Sequence, residues 1–309
     1  FAFARQPDRL AAFTVMPIWV WGGIGSLLSS VAYYFLRAKL SLVLTGVWAV
    51  TIFSGADESS VLWNLAKDPP ISGHAQPHSG LPVIRVATLN CGFFHYGNPS
   101  LDLALWDPDI VLVQEVWPND VKTIADRLYG GRGDYRYHKN NGIITRWKIK
   151  REVRNPMFRE QQLTVVDPDG REIEVVNVHL ATAATNLELW KPSAWKEHRD
   201  NRQTRRQELS LSLQLLEQTS PFPHIPTILG GDFNSAASDP VRSLLMRDFN
   251  DSFSTAGRGW GNTFQRRVPV LRLDSIYATR QFTPVRCRAV TTRKSDHRMV
   301  ISDLILPGS

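Results

Sequence analysis

Asp232 and Asn234 stand two residues apart in Gly230-Gly231-Asp232-Phe233-Asn234-Ser235, directly after an apolar run from Ile225 to Leu229. Side chains two apart on a strand share a face. An acceptor and a donor would therefore aim at one place, which suits activation of a water and orientation of a phosphate. The paired glycines remove two Cβ atoms, so the backbone can turn and another group can approach closely. By itself the stretch reads first as an Asx turn closing a hairpin.

Similar polar groups close other apolar runs. Ile84–Leu89 ends at Asn90, and Asp109–Val113 runs into Gln114-Glu115. Val175-Val176-Asn177-Val178 runs into His179, Leu273-Asp274 opens a run, and Ser295-Asp296-His297 precedes the last one. Singly, each has a plain structural reading as a cap, a loop or a solvated strand end. Together, one Glu, three Asp, two Asn and two His at strand ends suit a hard-cation site flanked by acid/base groups. Oxygen donors with few cysteines favour Mg²⁺, with Mn²⁺ as the alternative, over zinc. A cation in such a site neutralises phosphate charge and orients the attacking water.

In order and spacing, Asn90, Gln114-Glu115, Asn177-Val178-His179-Leu180, Gly230-Gly231-Asp232-Phe233-Asn234, Leu273-Asp274 and Ser295-Asp296-His297 resemble the endonuclease/exonuclease/phosphatase superfamily across residues 83–307. Its members include pancreatic-type DNases, abasic-site endonucleases, neutral sphingomyelinases and inositol polyphosphate phosphatases; the extended signature of the last branch is not seen here. The resemblance implies an α+β fold, the four-layer αββα sandwich called DNase I-like, with the site at one end of two sheets. It implies Glu115 as principal metal ligand with Asn90 and Asp296 beside it. Asp232 would position or deprotonate the water, with Asn234 steadying the water or the phosphate. His179 would sit near the leaving group, and His297 would contact the phosphate or act as base while Asp274 holds its imidazole. Asn141–Arg146 resembles the family's glycine-containing strand that usually ends Ser-Arg. Thr145 departs from that pattern, and Arg146 is expected at the substrate.

The elements that must position these groups are short. Apolar runs at 83–89, 110–113, 142–145, 163–166, 173–180, 227–229, 273–278 and 299–305 read as strands. Helical patterns cover 119–128, 202–218 and 240–246. Many strands with few helices predict packed, mainly antiparallel sheets with helices outside. Cys91 and Cys287 are too few for a disulfide framework or zinc site and are expected as free buried thiols. The net charge of +7 favours an anionic partner, and residues 83–309 hold 31 of the 36 basic and 25 of the 29 acidic side chains.

Before this domain the composition is different. Residues 11–36 and 40–56 carry no charge, and roughly 20 apolar residues cross a bilayer. Residues 1–56 are therefore expected to be membrane-spanning, and the Pro/Gly/Ser-rich stretch 57–82 a linker to a catalytic domain at 83–309. Arg37 and Lys39 between the spans, with Asp57 and Glu58 after the second, predict an extracytoplasmic catalytic domain; Arg5 and Arg9 argue the other way. A bacterial branch of the superfamily joins a few spans to an extracytoplasmic catalytic domain, usually with one span more. The chain begins at Phe1 rather than methionine, which agrees with a chain whose beginning is missing.

Trp190 and Trp195 with nearby basic residues, Arg202 on the following helix, and Trp260 in a second basic and aromatic loop are expected to line the substrate rim. Such groups stack on bases and pair with phosphates, and they equally rest on lipid head groups. The expected activity is metal-assisted hydrolysis of a phosphodiester, in a nucleic acid or a phospholipid-like molecule, by a membrane-anchored enzyme with the lipid bilayer as partner. The alternatives are a phosphomonoesterase of the same superfamily and a catalytically inactive binding or scaffold domain.

Overall fold

Twelve strands form two six-stranded sheets in the computed structural model, which describes residues 6–59, 61, 83–154, 159–182 and 188–307. In chain order they are β1 (Val83–Asn90), β2 (Ile110–Gln114), β3 (Asp134–His138), β4 (Asn141–Thr145), β5 (Lys148–Arg154), β6 (Gln161–Val166), β7 (Glu172–His179), β8 (Thr227–Asp232), β9 (Phe249–Asp251), β10 (Asp274–Thr279), β11 (Thr283–Val290) and β12 (Met299–Ile305). One sheet has the order β11-β12-β1-β2-β4-β3 and the other β5-β6-β7-β8-β10-β9. Pairing is antiparallel except for β1 with β2 and β7 with β8.

The two-residue alternation of the strands separates the layers. Ile84, Val86, Ile110 and Leu112 face Val175, Ile228 and Ile276 across the space between the sheets. Their neighbours Ala87, Leu89, Val111 and Val113 pack outward against Val121 and Ile124 of the helix Pro118–Tyr129. On the other side Val176, Val178 and Leu229 pack against Leu209 and Leu216 of the helix Pro192–Thr219. The result is the αββα sandwich expected. Cys91 and Cys287 are buried and unbridged.

The apolar N-terminal run is not one helix. Pro17 separates Ala11–Thr14 from Ile18–Leu36, because its ring excludes the hydrogen bond that a continuous helix needs there. Ala11, Ala12 and Thr14 are buried against the catalytic domain. The run 11–36 expected as one span therefore divides into a docked segment and a helix. Ile18–Leu36 is long and apolar enough to cross a membrane, and only 11% of it is buried. It pairs with the 17-residue helix Lys39–Gly55. Gly22 and Gly25 permit the close approach: a Cβ there would lie 2.4 Å from Ile52 Cγ1 and 2.3 Å from Trp48 Cε2. Leu27, Leu28, Phe35, Leu36, Leu40 and Val50 point outward. Of the expected linker 57–82, residues 60 and 62–82 lie outside the described residues.

Candidate active site

Along the inner faces of the central strands the side chains change from apolar to polar toward one end. β1 carries Ile84, Val86, Thr88 and Asn90 at alternate positions, and β2 carries Ile110, Leu112 and Gln114. β7 carries Ile173, Val175, Asn177 and His179; β8 carries Ile228, Gly230 and Asp232. β10 runs the opposite way, so its first residue, Asp274, reaches the same end. Strand register then fixes the neighbours: Asn90 lies beside Gln114, and Asp232 lies between His179 and Asp274.

A layer of amides separates the apolar core from this end. Gln114 Nε2 donates to Asn177 Oδ1 (2.7 Å) and Thr88 Oγ1 (3.2 Å). Asn177 Nδ2 donates to the carbonyls of Val113 (3.0 Å) and Gly142 (2.9 Å). These bonds tie the two sheets together directly beneath the site. Above them, Asn90 Nδ2 donates to Asp232 Oδ2 (3.0 Å), and the Asn234 N–H donates to Asp232 Oδ1 (2.9 Å). Asn234 Nδ2 donates to the Leu180 carbonyl, so this residue braces Asp232 through its backbone. His297 Nδ1 and Asp274 Oδ2 share a hydrogen bond of 2.8 Å. Ligand-type atoms of Asp232, Asp274 and His297 lie within 4.8 Å of one another.

The turn at Gly92-Phe93 joins the backbone of Glu115 to the side chain of Asn90. The Gly92 N–H donates to Asn90 Oδ1 (3.0 Å) and the Phe93 N–H to the Glu115 carbonyl (2.7 Å). A Cβ on Gly92 would lie 3.6 Å from Asp296 Oδ1, which puts that carboxylate beside the same turn. Glu115 Oε1 is 3.7 Å from His179 Nε2. Glu115 (φ 52°), Phe93 (φ 49°) and Asn234 (φ 48°) all hold left-handed backbone conformations at this end. Such non-glycine strain gathers where the chain must aim a functional group. The donor set Glu115, Asp296 and Asn90 Oδ1 is entirely oxygen, as a hard cation requires. Asp274 Oδ1 is buried without a hydrogen-bond partner among the described residues. Among the described residues, the acidic group whose ligand-type atoms come within metal-binding distance of one another is Asp232, Asp274 and His297, and the unpartnered Asp274 Oδ1 belongs to it.

Electrostatics divide the titratable groups. Burial opposes charge on His297, but the charge and hydrogen bond of Asp274, with Asp232 and Asp296 beyond, outweigh it and push the imidazolium up to about 10. Burial also opposes charge on Asp232; His297, His179 and the bonds from Asn90 and Asn234 overcome it and hold the carboxyl below its usual range. Burial pulls His179 down, with Arg159 and His297 adding to the effect against Asp232 and Glu115. Burial raises Asp274, and the Asp232 charge adds to that against the imidazolium. At neutral pH this describes a protonated His297, an ionised Asp232 and a neutral His179.

Two expected substrate residues lie elsewhere. β4 runs antiparallel to β2, so Arg146 follows the strand at the end away from Glu115. There it pairs with Asp107 and with Asp109 (3.2 Å) and lies over the Tyr129 ring. Arg146→Ala is expected to change kcat by less than about threefold and to cost about 1 kcal/mol of stability, because the guanidinium is partly exposed; steady-state kinetics and thermal unfolding check both. Arg202 is buried and donates to Asp239, Thr14 Oγ1 and the Gln6 carbonyl, so it holds the N-terminal segment. Trp195 donates to the Leu189 carbonyl in a half-buried position, whereas Trp190 and Trp260 are exposed.

Other supporting residues gave no sequence signal. Thr263 Oγ1 accepts from the N–H groups of Leu273 and Asp274, and Phe264 packs 5.0 Å from the His297 ring. Ser295 Oγ donates to the Asn90 carbonyl and accepts from the His297 N–H. Arg242 is buried and donates to the carbonyls of Ser235, Arg272 and Leu273. It thereby clamps the segments that carry Asp232 and Asp274. Gly231 has φ 137°, and a Cβ there would lie 2.0 Å from the Val178 carbonyl oxygen. Gly231→Ala is expected to cost about 3 kcal/mol or more through strain and clash, visible as a lowered midpoint of thermal unfolding.

A family model described as "Endonuclease/Exonuclease/phosphatase family" matches residues 87–297. No curated protein matches the chain. Among solved structures, an endonuclease/exonuclease/phosphatase family protein from Bacteroides thetaiotaomicron gives a TM-score of 0.58 at 16% identity, over 74% of this chain and 99% of that one. The Bacteroides thetaiotaomicron mannosyl-6-phosphatase gives 0.56 at 17%, over 72% and 99%. Humanized D. rerio TDP2 gives 0.55 at 17%, over 72% and 98%. At these identities the likenesses establish the fold.

Proposed function

The chain belongs to the endonuclease/exonuclease/phosphatase family of phosphoester hydrolases, and from that premise we propose a membrane-anchored, divalent-metal-dependent enzyme that hydrolyses a phosphodiester by direct attack of water. The observation that carries this reading is the meeting of Asp232, Asp274 and His297 within 4.8 Å, with Asn90 bonded to Asp232. A binding scaffold has no need to bury two carboxylates and an imidazole together, since burying charge is costly unless it does work.

Glu115, Asp296 and Asn90 would hold Mg²⁺ or Mn²⁺, which when bound supplies charge neutralisation at the phosphate oxygens. Asp232, ionised and aimed by the bonds from Asn90 and Asn234, accepts a proton as water adds to phosphorus. His297, kept protonated by Asp274, donates Nε2–H to a phosphate oxygen whose charge grows in the transition state. Neutral His179, beside Glu115, stabilises the leaving side. The P–O bond to the departing alcohol breaks, its oxygen takes up a proton from solvent, and the products are a phosphomonoester and an alcohol. The exposed apolar hairpin Ile18–Gly55 would anchor this domain in the bilayer, with the domain on the extracytoplasmic side.

The test uses the full chain in nanodiscs with a chromogenic phosphodiester and the matching monoester in ¹⁸O-water. Diester turnover with one label in the product phosphate supports the proposal. Turnover of the monoester alone would reassign the enzyme as a phosphomonoesterase, and no turnover of either contradicts the hydrolase reading.

A further inference from the structure

The hairpin joins the catalytic domain at its active-site end. Arg272, two residues before Asp274, is buried and pairs with Asp57 (2.8 Å) just beyond the helix Lys39–Gly55, and with Asp251 (2.8 Å). Asn262, beside the Thr263 that braces Asp274, donates to Glu58 Oε1 (2.8 Å). Gln6 Nε2 donates to the Ser238 carbonyl (2.6 Å), four residues beyond Asn234. Arg206 pairs with Asp8 (3.0 Å), beside the Arg202 contacts. The two apolar helices thus begin and end against the segments that carry Asp232 and Asp274, and Arg37 lies at their far end.

The same end carries exposed aromatic and apolar side chains. Trp260 packs its ring 5.7 Å from Trp19, the second residue of the helix Ile18–Leu36, and stays 45% exposed. Val268, in the loop that carries Phe264 onto His297, is 74% exposed. Trp117, packed on Phe93 near Glu115, is also exposed. Arg267, Arg293 and Lys294 are exposed around the His297 side. Tryptophan at the level where a span leaves the hydrocarbon is the composition of a surface that rests at the lipid head groups.

Building on the proposed hydrolase activity, we infer that the active-site end faces the bilayer in which the hairpin sits, and that the substrate is a lipid-borne phosphodiester in the adjoining leaflet. Water adds to the lipid phosphorus, one P–O bond breaks, and its alkoxide leaves protonated as an alcohol; no other reactant is needed. The clasp at Arg272, Asn262 and Ser238 fixes the height of the site above the membrane. A head group can then enter from the lipid side without leaving the leaflet, whereas a duplex in solution meets the hairpin and rim first.

The experiment reconstitutes the full chain in phosphatidylcholine vesicles containing phosphatidylglycerol. It follows head-group or phospho-head-group release with Mg²⁺, beside plasmid DNA and a water-soluble chromogenic phosphodiester. Lipid in the protein's own vesicles should be hydrolysed at least about 10-fold faster than lipid in separate vesicles. Val268→Asp should slow lipid turnover about 5-fold or more and leave the soluble diester unaffected, because a charge is added to the contacting surface. Turnover of the soluble diester or DNA without lipid turnover overturns this inference and leaves the hydrolase reading intact. Equal rates on lipid in either set of vesicles also overturn it. No turnover of any substrate overturns both.

Discussion

Glu115→Gln is expected to lower kcat/KM on a phosphodiester about a thousandfold while the fold survives. The substitution keeps size and one oxygen but removes the charge beside the turn where Asn90 and Asp296 meet. A bound cation contributes several kcal/mol to transition-state charge stabilisation, and about 4 kcal/mol corresponds to a thousandfold. Glu115 is a third exposed and not part of a packed core, so thermal unfolding should stay within about 1 kcal/mol of the parent. Raising the Mg²⁺ concentration should recover part of the rate, which a purely structural defect would not allow. Unchanged kcat/KM would remove Glu115 from the site.

The second large effect falls on the His297–Asp274 pair. His297→Ala removes the cationic donor and is expected to cost about a thousandfold in kcat, the range for one positioned proton donor or oxyanion partner. Asp274→Asn should cost less, about 10- to 100-fold, since an amide oxygen still accepts from Nδ1–H while the charge that favours the imidazolium is lost. Because the two residues act as one unit, the double variant should be little worse than His297→Ala alone. Fully multiplicative losses in that comparison would mean that they act separately.

Which parts of this protein were legible in its sequence follows from burial. The strands with two neighbours, such as β1, β2, β7, β8 and β12, are buried along most of their length and read as apolar runs. The four strands that no apolar run marked are β3, β5, β9 and β11, and they are the four edges of the two sheets. An edge strand carries charges and polar side chains that discourage further pairing, so Lys148–Arg154 shows little of the pattern its neighbours show. The helix Pro192–Thr219 begins ten residues before its apolar period does, because its first turns are basic and aromatic. Asn90, Glu115, His179, Asp232, Asp274 and His297 were visible because each closes or opens a buried strand. Arg146 follows a buried strand too, but that strand's direction carries it to the opposite end, and direction is not written in spacing. Arg242, Thr263 and Ser295 act through backbone groups distant in sequence, which no local motif reveals.

The most direct measurement of the central claim is metal-dependent turnover by the full chain held in nanodiscs. Hydrolysis of a chromogenic phosphodiester is followed after EDTA treatment, during titration with Mg²⁺ or Mn²⁺, and in parallel with Glu115→Gln. Activity is expected to vanish with EDTA, to return saturably with either cation, and to need a higher cation concentration in the variant. Turnover that persists through EDTA, or that titrates identically in the parent and Glu115→Gln, would contradict the claim.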